Sequence, residues 1–252
     1  MKYIVTLCFS IFILVISSYA DENVKNKTKI TYGYPDQSIF IATINGKEQP
    51  ITPMLNVVKE LFGQTNLSWD SEAYPAKRLI RNLKSGKTDF SILVKASSLL
   101  NNCIFSKKPI YSTNLNVYYI GDKPPITTKE DFIGKRVVMI RGYSYGSLRK
   151  FLNNPKNNIT IESTSTHSSA FSMLKYGRAD YLLDYASAAK DIISQDPIAD
   201  LKSYTLDKVN IFLVLSKSYP NADKLMNKLE TIMESIDINK IMDHKSENTI
   251  TH

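Results

Sequence analysis

Cysteine is scarce in this chain: 252 residues hold two, Cys8 and Cys103. Cys8 lies in an apolar segment expected to be removed, so no intramolecular disulfide is available and stability has to come from core burial. Cys103, followed by Ile104-Phe105, reads as a small buried apolar side chain with no general base placed beside it. Histidine is equally sparse. His167, His244 and His252 are isolated, and no His/Cys/carboxylate spacing suggests a metal site. His167 precedes a helical stretch and is expected at the surface or in a cap. There is no G-x-S-x-G turn, no phosphate-cradling G-x-x-x-x-G-K loop and no G-x-G-x-x-G fingerprint. No cofactor is therefore expected. A dense Lys/Arg block is also missing. The net charge of +8 comes from lysines dispersed along the chain, a solvated basic surface rather than a nucleic-acid arm.

Long apolar runs are confined to the start. Met1-Lys2 precedes an apolar run from Ile4 to Ile16, broken only by Thr6, Cys8 and Ser10. The run is about 13 residues, against the ~20 that a spanning helix needs. Ser18-Tyr19-Ala20 then places small residues where signal peptidase accepts them. Residues 1–20 are thus expected to be a cleavable signal peptide, cut after Ala20, rather than an uncleaved anchor. The mature protein is expected in the periplasm. A length of 232 residues after cleavage fits one large domain or two modest ones.

What remains is a regular alternation. Lys29–Tyr34 reads as a strand, and a loop rich in turn residues follows. Thr52-Pro53 opens a helix whose apolar positions are Met54, Val57, Val58 and Leu61, closed by Gly63. Leu67–Trp69 is a short strand, a helix follows Tyr74-Pro75 and ends at Gly86, and Asp89–Val94 is a strand. The order strand, helix, strand, helix, strand predicts a parallel sheet covered by helices. After a strand at Leu115–Ile120 the pattern restarts. Strands at Arg136–Ile140, Ile159–Glu162 and Ala179–Leu183 alternate with helices near 145–152, 168–176 and 186–194. A strand at Asn210–Leu215 and an amphipathic stretch from Ala222 to Ile236 finish the fold. The last elements are left over from the second unit, and the economical solution returns them to the first.

Four segments carry a resemblance. Asn82-Leu83-Lys84-Ser85-Gly86-Lys87-Thr88-Asp89, Phe105-Ser106-Lys107-Lys108-Pro109-Ile110-Tyr111, Asp131-Phe132-Ile133-Gly134-Lys135-Arg136-Val137, and Leu174-Lys175-Tyr176-Gly177-Arg178-Ala179-Asp180 with Asp184 occur in order through the middle of the chain. Together they resemble the family 3 extracellular solute-binding proteins, the amino-acid-binding type. The resemblance implies an α/β, two-lobed type II periplasmic-binding-protein fold, each lobe a mainly parallel sheet flanked by helices, with two hinge crossovers. Its implied divisions are a first lobe over 21–115, a second over 116–208, and a return to the first lobe with a C-terminal tail over 209–252. It also implies a non-enzymatic role: capture of a small polar solute between the lobes and presentation to a membrane ABC permease or a sensor. The protein is expected to work as a monomer. Family members that bind α-amino acids keep a carboxylate-clamping arginine six residues before the Phe-Ser pair. Here that position is Leu99, and no arginine lies between Asn82 and Val117. Lys95 is near but is a flexible point charge, not a bidentate fork. A standard α-amino-acid site is therefore not expected.

The candidate ligand residues follow from both readings. Asp184 matches the family aspartate that receives a ligand ammonium and sits after a parallel strand; it also reads as the cap of the next helix. Arg141-Gly142-Tyr143-Ser144 follows a strand and opens a helix, an anion site if Arg141 and Ser144 face a ligand and a surface turn if they do not. Tyr74 and Arg78, four apart at a helix start, can address one side, or Arg78 can form a surface ion pair. Tyr34 and Phe40 lie where the family places an aromatic shelf. The rival is a periplasmic enzyme on this scaffold, such as a cyclic-acid dehydratase, with Glu72 and Asp184 as its candidate carboxylates.

Overall fold

Two runs of β-α-β-α-β build the two parallel ends of one nine-stranded sheet, and two long antiparallel strands join them. The computed structural model describes residues 29–44, 47–146 and 148–243. The expected signal peptide and the tail from Lys245 lie outside the described residues.

In chain order the elements are β1 (Lys29–Pro35), β2 (Phe40–Ile44), β3 (Lys47–Ile51), α1 (Pro53–Gly63), β4 (Ser68–Tyr74), α2 (Ala76–Ser85), β5 (Phe90–Val94), β6 (Cys103–Phe105) and β7 (Tyr111–Ile120). These are followed by β8 (Arg136–Ile140), α3 (Leu148–Leu152), β9 (Thr160–Thr164), α4 (His167–Lys175), β10 (Tyr181–Tyr185), α5 (Ala186–Gln195), β11 (Leu201–Ser216), α6 (Ala222–Met233) and α7 (Ile238–Asp243). The strands lie in the order β4-β1-β5-β11-β7-β10-β8-β9, with β6 also against β11. β1 is parallel to β4 and β5, and β8 is parallel to β9 and β10.

The short apolar strands are buried on both faces, which is why they read as continuous apolar runs rather than alternations. In the first lobe, Leu213 and Leu215 of β11 pack with Ile30, Val58 and Phe90, while Val214 between them packs with Leu79, Leu83 and Leu99 on the opposite face. In the second, Val137 and Met139 of β8 join Leu115, Phe132 and Leu183, and Val138 and Ile140 join Phe171, Leu174 and Leu182. Within β11, Val209 belongs to the second lobe's core and Leu213 to the first lobe's core. Ile211 is the seam, partnered with Tyr111 of β7 and with Val94 of β5.

The recurring segments serve the backbone. Asp89 accepts from the Thr31 amide through Oδ2 at 2.9 Å, locking β5 to β1. Gly86 caps α2 at φ +71, where a side chain is strained, and an added Cβ would lie 2.6 Å from Ser218 Cβ. Asp131 closes the turn before β8 by accepting from Thr127 and Thr128. Arg136 pairs with Asp180 at 3.6 Å and donates to the Gly177 carbonyl at 3.1 Å, joining two motifs across the second lobe.

Four expectations need correction. The presumed loop after β1 contains the β2–β3 hairpin, with Phe40 opposite Ile51 and Ile44 opposite Lys47. The helix expected near 145–152 is α3 alone, five residues from Leu148, because Tyr145 (φ +48) and Gly146 (φ +65) are left-handed and hold the chain out of helix. β11 begins at Leu201, not Asn210. Its residues 202–205, 207 and 208 are exposed, so no apolar pattern announces them. His167 is neither a surface nor a capping residue: Thr166 caps α4, and His167 is 3% exposed.

Candidate functional site

Open α/β sheets place ligands beyond the carboxyl ends of their strands. Both lobes aim such ends at one cavity of about 130 Å³. Ser38 follows β1 and Val94 ends β5 on the first lobe's side; Tyr143 follows β8, His167 follows β9 and Tyr185 ends β10 on the second lobe's side. Thr113 of the crossover strand β7 lines it from the hinge, and its hydroxyl donates to Ser187 Oγ at 3.1 Å. Larger cavities of about 840 and 620 Å³ exist, one beside α3 and one under α6, but each is walled by a single lobe and its crossover strand. The smaller cavity is the candidate because both lobes converge on it at strand ends.

Its second-lobe wall rests on a buried polar chain. Asp184 is fully buried; its Oδ2 lies 2.7 Å from His167 Nδ1 and its Oδ1 accepts from the Tyr185 amide at 2.8 Å. His167 Nε2 is 3.1 Å from the Tyr143 hydroxyl. Tyr143, Tyr145 and Tyr185 surround this chain with ring centroids 5.4–5.8 Å apart. Burial, reinforced by the Asp184 charge, pushes all three phenols above their ordinary range, and the Asp36 carboxylate across the cleft adds to the effect at Tyr143. Tyr118 behind them is raised to about 12 by the same burial, with Asp184 again contributing. The phenols therefore stay protonated at neutral pH.

The loop that presents Tyr143 is held from beneath. Arg149 donates to the Ile140 carbonyl at 3.4 Å and to the Tyr143 carbonyl, while the Tyr145 hydroxyl accepts from the Ile140 amide at 2.8 Å. α3 starts at Leu148, so Arg141–Ser144 stand in a turn and do not open a helix.

Of the residues singled out from the sequence, Tyr143 lines the cavity and Asp184 lies directly behind it. Asp184 does not cap α5, which starts after Tyr185 without a side-chain cap. Arg141 and Ser144 are exposed and stand outside the cavity lining among the described residues, as do Tyr34, Tyr74 and Arg78. Tyr34 stacks on Tyr32 at 5.5 Å, and Tyr74 is buried in the core around Leu99, its hydroxyl donating to Glu72 Oε2 at 2.6 Å. Phe40 lies in β2, and its side chain is outside those described. Leu99 is wholly buried. Sequence reasoning missed Ser38, Thr113, His167 and Ser187. Marking every parallel strand's C-terminal junction would have found Ser38 and His167; the crossover residues carry no such mark.

No protein-family model matches the chain, and no curated protein matches it either. Solved structures do. The amino acid ABC transporter substrate-binding protein AbpA of Streptococcus pneumoniae, bound to L-arginine, matches with a TM-score of 0.72 at 18% identity over 91% of this chain and 99% of that one. An ancestral arginine-binding protein bound to arginine gives 0.69 at 19%, covering 90% and 100%. The VFT2 domain of Bordetella pertussis BvgS gives 0.65 at 19%, covering 87% and 93%. At such identities the likeness is one of architecture, and over nearly its whole described length this chain has the two-lobed type II periplasmic-binding fold.

Proposed function

We propose that this protein is an exported solute-binding protein that closes its two lobes on a small polar solute and presents it to a membrane ABC permease or a sensor. The observation that carries the reading is the cavity formed jointly by strand ends of both lobes. Substrate-binding proteins of amino acid ABC transporters share the fold, which supports the same assignment. The lobes divide near Tyr111 and Ile211, where β7 and β11 cross. A cavity of about 130 Å³ lies below the roughly 300 Å³ at which most ligand pockets begin, so the solute is small. It is not a standard α-amino acid: Leu99 is in the core, and the cavity lining among the described residues contains no arginine or lysine. Arg141 on the exposed turn is the alternative grip for an anion.

A thermal-shift screen followed by solution scattering tests this reading. A solute that raises the melting temperature should also reduce the radius of gyration as the hinge closes. A chain that no solute compacts is not such a binder. Fractionation should find the mature chain in the periplasm, beginning at Asp21 and monomeric.

The enzymatic reading has one observation in its favour, since the Asp184–His167–Tyr143 chain has the geometry of a proton relay. Recovery of the bound solute chemically unchanged after long incubation decides against it; appearance of a product decides for it.

A further inference from the structure

The buried chain behind the cavity joins Asp184, His167 and the Tyr143 hydroxyl in one line of hydrogen bonds. We propose that Asp184 and His167 set Tyr143 as a hydrogen-bond acceptor toward the cavity, and that the solute is a small organic amine bound without a carboxylate clamp. The inference rests on the solute-binding reading and names its ligand class.

The argument runs along three atoms. Asp184 is buried and accepts on both oxygens, from His167 Nδ1 at 2.7 Å and from the Tyr185 amide at 2.8 Å. A carboxylate accepts and does not donate, so the proton between it and the imidazole belongs to Nδ1. In the neutral ring Nε2 is then an acceptor, and its partner at 3.1 Å, the Tyr143 hydroxyl, has to donate to it. Tyr143 spends its single proton inward. The lone pairs of its oxygen are what remain for the cavity, and they take a hydrogen bond from an N–H of the solute.

Charge agrees with this orientation. The described cavity lining holds no lysine or arginine, while Asp184 lies behind it and Asp36 acts on Tyr143 from the other lobe. The rings of Tyr143 and Tyr185, 5.4 Å apart, add aromatic faces that attract a cation. Asp184 is thus a positioning residue: it does not touch the amine, and it determines what Tyr143 offers to it.

Calorimetry and scattering with putrescine, agmatine and ethanolamine, against glutamate and succinate, test the proposal on the full mature chain. At least one amine should bind, more tightly than either carboxylate. Tyr143→Phe, which keeps the ring and removes the acceptor, should weaken that amine by about ten- to hundredfold, the range for a hydrogen bond to a charged group. Asp184→Asn should do the same, because an amide N–H facing Nδ1 reverses the tautomer and turns Tyr143 outward as a donor. If Asp184→Asn does not fold, Tyr143→Phe and the preference for amine over carboxylate carry the decision. Amine affinity unchanged in Tyr143→Phe overturns the proposal, as does failure of every amine to bind. Compaction by succinate or glutamate alone would leave the solute-binding reading standing and this one fallen; compaction by nothing would end both.

Discussion

Leu99 shows how much burial limits what one position can carry. It is wholly buried against Leu79, Leu83 and Cys103, in the core layer away from the cavity. An arginine placed there would bury an unpaired guanidinium in the core. Leu99→Arg is expected to cost more than about 3 kcal/mol, read as a lower denaturant midpoint, with no gain in α-amino-acid affinity. Its neighbour Cys103 is 3% exposed, and burial pushes its thiol up to about 11, Lys217 and Lys84 acting weakly the other way. The thiol therefore stays protonated at neutral pH. A thiol reagent should modify it only as fast as the first lobe opens, and mild denaturant should accelerate the labelling. Fast labelling of the native chain would contradict this packing.

At the scale of elements, two turns decide how the second lobe is presented. Asp131 takes hydrogen bonds from both backbone and hydroxyl of the turn before β8, and these hold its carboxyl below the usual range. A depressed folded-state value contributes stability above the unfolded carboxylate value and loses it as pH falls through the folded one. Asp131→Asn should accordingly lower the melting temperature at neutral pH and converge on the parent in acid, a comparison that thermal melts across pH settle. Arg149 secures the loop carrying Tyr143. Arg149→Met, which keeps the stem and removes the donors, should weaken solute binding severalfold with a smaller change in stability; equal affinity would show that the loop holds its own shape. These elements also mark how far the sequence was legible. α1 announces itself by apolar positions at helical spacing between Pro53 and Gly63, and β5 and β8 by the mostly apolar runs Phe90–Val94 and Val137–Ile140 that covered sheet faces allow. The first half of β11 does not, since one crossover strand pairs its backbone while its side chains face water. The site was legible at Tyr143 and Asp184, which adjoin strand ends with a recognisable motif. His167 was misread because a lone histidine before a helix carries no sign of what packs over it.

The whole molecule is held together by the neighbourhood of Tyr111 and Ile211. These residues are partners, and the Ile110 amide donates to the Ile211 carbonyl at 2.8 Å. On the division proposed above, the described elements between them form one lobe and those outside them the other. The second lobe is therefore an insertion whose two ends leave its host side by side. Joining Tyr111 to Ile211 through a two-residue Asn-Gly turn would convert the crossover into an ordinary hairpin and leave the first lobe's sheet complete. Such an excised chain should fold with a cooperative melt, and the removed piece should fold as an independent module; a molten, non-cooperative product from either would show that the lobes lend each other stability. A protein divided this way can exchange its inserted half as a cassette, changing half of the surface that meets a solute while keeping the other half intact.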